Sequence, residues 1–176
     1  SRGLGDVYKR QVFDSISKIQ PESRIKIVRD IEVMTSDYLI ENIESAFKVW
    51  NRRGVAKHYS FDDFCSYVLP YRVAHEPLSH WRRTALQRYG HWLDSLNAPQ
   101  DIARSIAMRY PVRYNAGMTK YPYIMSYEEM DSLQWGTCDD MTAFLTLSLR
   151  AIGIPAATDV VKAWANRSSA HCWNVV

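Results

Sequence analysis

Apolar residues recur at helical spacing along most of the chain and turn into strand-like runs only towards its end. The pattern over 12–34 predicts helix, interrupted at Pro21. Thr35-Ser36-Asp37 is an N-cap cluster. Leu39, Ile43, Phe47 and Trp50 follow it at close to 3.6-residue spacing, with Ile40 and Ala46 beside them, which predicts an amphipathic helix ending near Arg53-Gly54. Ser60-Phe-Asp-Asp opens a short helix with Phe61, Phe64 and Val68 on one side, stopped by Pro70. Residues 71–78 read as a connection. A longer helix is expected from about Ser79 to Leu96, with Trp81, Ala85, Tyr89, Trp92 and Leu96 on its buried face. Pro99 suits the first turn of another helix, over roughly 99–109, carrying Ile102 and Ile106.

Residues 110–125, with Pro111, Gly117 and Pro122, read as a surface loop. Ser126-Tyr-Glu-Glu129 is a capping box for a short helix ending near Leu133. Thr137-Cys-Asp-Asp140 has the same form, with Asp in place of Glu, and opens a helix marked by Met141, Leu145, Leu149 and Ile152. Gly153 and then Pro155 end it. Ala156–Trp164 reads as a strand, Asn166–Ser169 as a turn and Ala170–Val176 as a second strand. Asn166-Arg-Ser168 also fits a glycosylation acceptor, but is read here as that turn. The expected class is α+β: a helical region over 12–110, then a helix-plus-strands unit over 111–176. Ser1–Gln11 reads as an adapter-derived scar outside the fold. The apolar run at the other end reads as a sheet cut short.

Composition narrows the class. The chain has 176 residues, 47% hydrophobic and 23% charged, which suits a packed core and excludes wholesale disorder. No run of 18 apolar residues is present, so no transmembrane helix is expected. The net charge of +3 is spread along the chain without a basic stripe or a reading motif, so nucleic acid is not the expected partner. Three cysteines, Cys65, Cys138 and Cys172, exclude a disulfide framework. Cys65 reads as core packing on its short helix. His75, His80 and His91 have no partner pattern, and the Trp81/Tyr89/Trp92 stripe reads as core.

Cys138 lies in the first turn of its helix, where unpaired N–H groups and the helix dipole favour a thiolate. His171 begins the last strand, and a strand histidine facing a helix cysteine is the arrangement of acyl-transfer enzymes. Cys172, the next residue, points to the opposite face and reads as structural. The same alternation opposes a metal site made from Cys138, His171 and Cys172, so no metal and no cofactor are expected. Asp139 and Asp140 read as helix-start charges.

Three blocks in order, Trp135-Gly-Thr-Cys138-Asp, Leu149-Arg-Ala-Ile-Gly-Ile-Pro-Ala156 and His171-Cys-Trp-Asn-Val175, resemble the transglutaminase-like superfamily. The resemblance covers about residues 126–176. Residues 35–110 resemble, more loosely, the upstream part of large exported proteins of this type from gut-dwelling Bacteroidetes. The family implies a papain-like fold, with a cysteine helix on an antiparallel sheet. It implies Cys138 as nucleophile and His171 as base, with an Asp or Asn on the next strand, beyond Val176, as third member. It implies an oxyanion site from the Cys138 backbone N–H and a donor on Trp135 or Gln134. The substrate would be a peptide or protein amide, more often hydrolysed than cross-linked, in an exported or periplasmic setting. Lacking the third residue, the 176-residue chain is expected to be inactive alone. The alternative is a binding or structural module of the same fold without chemistry.

Overall fold

The computed structural model describes residues 28–52, 55–95, 98–109, 112–120, 124–163 and 170–176. Expectations for 1–27, for Leu96 and for the 166–169 turn lie outside these residues. The architecture is α+β, with several helices and short strands. The longer helices are α1 (Ser36–Trp50), α2 (Trp81–Tyr89), α3 (Pro99–Arg109), α4 (Tyr127–Leu133) and α5 (Cys138–Ala151), with short turns of helix at Asp30–Val33 and Phe61–Asp63. The strands are β1 (Arg113–Tyr114), β2 (Trp135–Gly136), β3 (Ala157–Val161) and β4 (His171–Val175).

Most helix starts follow from their caps. The Thr35 side chain accepts the Tyr38 N–H, and capping boxes close at Ser60/Asp63, Ser126/Glu129 and Thr137/Asp140. Gly153 takes φ 82° just past α5, the left-handed conformation that glycine adopts without penalty.

α5 is the centre of the molecule. From Thr142 to Ala151 all its residues except Leu145 are buried, so it is covered nearly all round instead of showing one apolar stripe. On one side Phe144 and Leu147 join Trp81, Ala85, Tyr127 and Met130; Tyr127 stacks on Phe144 with centroids 4.2 Å apart. Burial pushes the pKa of the Tyr127 hydroxyl up, although its bond to the Ser148 hydroxyl at 2.9 Å acts the other way. Elsewhere Leu149 and Ile152 meet Ile102, Ile106 and Ile154.

Two buried arginines pin α5 to the connections around it. Arg82 donates to Asn42 Oδ1 at 3.0 Å, Val68 O at 2.9 Å and Arg150 O at 3.2 Å. Arg150 donates to Ala156 O through Nε at 3.0 Å and Nη2 at 2.9 Å, and to Arg72 O at 3.0 Å. The Arg150–Ala156 grip folds the Gly153–Pro155 turn back over the end of α5. Burial, and next the neighbouring Arg150 charge, push the Arg82 pKa down, while the carbonyls around it satisfy its N–H groups.

Several expectations change. On α1 the buried residues are Asn42, Ala46 and Val49, while Ile40 and Ile43 are exposed. The face is rotated because Asn42 turns inwards, accepting from Arg82 and donating to Leu69 O at 3.0 Å. The helix expected over 79–96 starts at Trp81, and its regular part ends at Tyr89, tightening through Gly90–Trp92. The 110–125 stretch contains β1, whose parallel pairing with β2 no alternation in so short a segment reveals. The chain over Phe64–Val68 winds as a wide π turn, with the Leu69 N–H donating to Phe64 O at 2.8 Å. That winding buries Phe64 and Val68 and leaves Cys65 exposed rather than in the core. Phe61 is exposed as well.

Candidate functional site

The segment leading to Cys138 is held from both sides. The Arg113 N–H donates to Gln134 O and the Asn115 N–H to Gly136 O, each at 2.9 Å, so β1 fixes the two residues before Thr137. Gln134 itself closes α4 in a left-handed conformation, φ 57° and ψ 25°. Gly136 has no room for a side chain: a Cβ there would lie 2.7 Å from Asp140 Cβ and 3.0 Å from the Met130 thioether. Asp140 is buried and serves structure. Its Oδ2 accepts the Thr137 N–H and hydroxyl, each at 2.7 Å, and its Oδ1 accepts the Met125 N–H at 2.9 Å.

Cys138 therefore sits on a capped helix start, with its thiol half-buried and free of any disulfide. The Thr142 hydroxyl donates to its carbonyl at 2.6 Å. Trp135 and Gln134, the candidate oxyanion donors, are both half-buried in the same short stretch.

β4 lies across α5 and pairs antiparallel with β3, His171 opposite Val161 and Cys172 opposite Val160. Its alternation decides which side chains reach the helix. Asn174 Nδ2 donates to Thr142 O at 2.9 Å and Thr146 Oγ1 at 2.8 Å. Cys172 is buried against the same helix: its Sγ lies 3.4 Å from the Thr142 hydroxyl and 3.4 Å from Asp139 Oδ1. His171 and Trp173 are exposed on the other face, their rings 6.3 Å apart. The structure thus turns Cys172 and Asn174 to the cysteine helix, where the sequence reading had put His171 on that side.

Cys138, Asp139 and Cys172 converge, with their ligand atoms all within 4.8 Å of one another. The Asp139 carboxylate spans the two thiols, Oδ1 towards Cys172 and Oδ2 at 3.9 Å from Cys138. Burial, with the Asp139 and Cys138 charges adding to it, pushes the Cys172 thiol up to about 12. Cys172 is thus held as a neutral thiol at neutral pH, unsuited to be the nucleophile. Sequence reasoning missed Asp139 and Cys172 as members of the site. The alternation of β4 says that residues 171 and 172 face opposite ways, not which of them meets the helix. Comparison with protein-family models, curated proteins and solved structures finds no match for the chain.

Proposed function

We propose that the chain carries a cysteine acyl-transfer centre of the transglutaminase-like kind, with Cys138 as the nucleophile, acting on peptide or protein amides. The observation that carries this reading is the position of Cys138: a half-exposed thiol in the first turn of a capped helix whose lead-in is hydrogen-bonded to β1 and closely packed at Gly136. Preorganisation of this sort is what a nucleophile requires. The thiolate would add to an amide carbonyl, the Cys138 backbone N–H with a donor from Trp135 or Gln134 would hold the oxyanion, and collapse would expel the amine and leave a thioester for water. His171 is the proton carrier of this reading. His171 is exposed on the face of β4 turned away from α5, so this role requires the strand to turn and bring the ring within hydrogen-bond reach of the sulfur.

That same orientation favours a second reading, a transglutaminase-like module that binds without chemistry. Incubation with a mixed peptide-amide library, followed by mass mapping of thioester adducts, separates the two. Acyl transfer gives an adduct on Cys138 that Cys138→Ala abolishes and that His171→Ala slows by about 100-fold or more, the ordinary contribution of a positioned base. A folded protein that forms no adduct overturns the acyl-transfer reading and leaves the module.

A further inference from the structure

We infer that Cys138, Asp139 and Cys172 form a binding site for a thiophilic divalent cation, of which Zn²⁺ is the type. The inference rests on the geometry of these side chains and not on the acyl-transfer reading.

The donors come from two elements. Cys138 and Asp139 begin α5, and Cys172 is brought to them by the β3–β4 pairing and by the Asn174 bonds to Thr142 and Thr146. Two thiols and a carboxylate are a borderline-soft set, which selects zinc over magnesium or calcium. The spacing suits one tetrahedral ion. Zinc bonds of about 2.3 Å to sulfur and about 2.0–2.2 Å to oxygen put neighbouring S and O ligands about 3.5 Å apart. The Cys172 Sγ to Asp139 Oδ1 separation is 3.4 Å, and one ligand atom from each of the three residues lies within 4.8 Å of the others.

Binding would take both sulfurs as thiolates, any thiol proton leaving to solvent, with Asp139 as the third ligand and water as the fourth. The complex of two thiolates, one carboxylate and Zn²⁺ carries one net negative charge, which the positive end of the α5 dipole favours. The Thr142 side chain packs beside the site, its hydroxyl 3.4 Å from Cys172 Sγ and bonded to Cys138 O. His171 has no part in the site, because it is on the other face of β4. A bound ion would occupy the Cys138 sulfur, so metal and acyl transfer exclude each other.

Cobalt(II) is the probe, since thiolate ligation gives it a charge-transfer band in the near ultraviolet and tetrahedral geometry intensifies its visible bands. Titration of the whole chain, with a phosphine reductant in place of a dithiol, should give both features at one ion per chain, and Zn²⁺ should bleach them. Cys138→Ser, Cys172→Ser and Asp139→Asn should each weaken binding by at least the about 10–100-fold that loss of an outer-shell partner costs. Cys65→Ser should leave the spectrum unchanged. Far-UV circular dichroism checks folding of every variant. Asp139→Asn changes an exposed, nearly isosteric side chain, so it tests the site even if a cysteine variant unfolds. Absence of the charge-transfer band, its loss in Cys65→Ser, or its survival in both Cys172→Ser and Asp139→Asn overturns the inference. None of these readouts depends on turnover, so failure here leaves the acyl-transfer reading standing, and the reverse.

Discussion

The side of α5 that meets α2 and α4 is closed by large apolar groups, Phe144 and Leu147 against Trp81, Tyr127 and Met130. The side that meets β4 is closed by two threonines, a thiol and the Asn174 amide. The first surface gains its stability from area removed from water and from close packing. The second gains little from area and depends on a few directional bonds, which break one at a time. Cys138 belongs to the helix and Cys172 to the hairpin. The site is therefore a seam between a rigid body and a hairpin held by polar contacts, and its geometry is only as durable as the hairpin's attachment.

Substitutions on the two sides test that contrast. Phe144→Ala should have the largest effect, about 3–5 kcal/mol of lost stability in urea unfolding, because it opens a cavity under the stacked Tyr127 ring. A loss below about 1 kcal/mol would mean that the apolar side is looser than described. Gly136→Ala comes next, at about 1–3 kcal/mol, since the added methyl meets Asp140 Cβ and displaces the start of α5. The same measurement checks it, and a neutral outcome would show that the helix start has slack.

Asn174→Ala should cost about 1 kcal/mol globally. Its sharper signature is local: amide hydrogen exchange should speed up in β3 and β4 while the amides of α5 keep their protection. Equal acceleration in α5 would merge the two regions into one cooperative unit. Trp173→Ala, on the exposed face of β4, should change stability by no more than about 0.5 kcal/mol. A larger loss would show that this face is covered in solution.

The parts legible in the sequence were those fixed by local chemistry. Thr35, Ser60, Ser126 and Thr137 announced their helices because an N-cap is a contact between residues three apart. Pro99 and Gly153 worked in the same way through φ alone. The parts that were hidden depend on distant partners. Nothing near Asn42 says that it will turn inwards; Arg82, forty residues on, decides that. The run His171-Cys-Trp-Asn-Val carries an apolar or soft residue on each face, so its pattern fits either orientation against α5. Its orientation is set by the Thr142 carbonyl and the Thr146 hydroxyl, which accept where Asn174 has donors. Cys138 was legible as a helix-start thiol, whereas its neighbours Asp139 and Cys172 required the sheet.

Gln134 closes α4 in the left-handed region, where any residue but glycine carries strain of about 1 kcal/mol or more. Position 134 thus separates a backbone duty from a side-chain duty within a single residue. A glycine there would keep the path into β2 and relieve the strain while deleting the amide. Whatever the amide does for an oxyanion would vanish from a protein that is, if anything, more stable. A gain in melting temperature together with a loss of thioester formation would mark Gln134 as a residue held in a costly conformation for what its side chain reaches. A gain with no loss would assign the donor to Trp135 and leave the glutamine as a tolerated misfit.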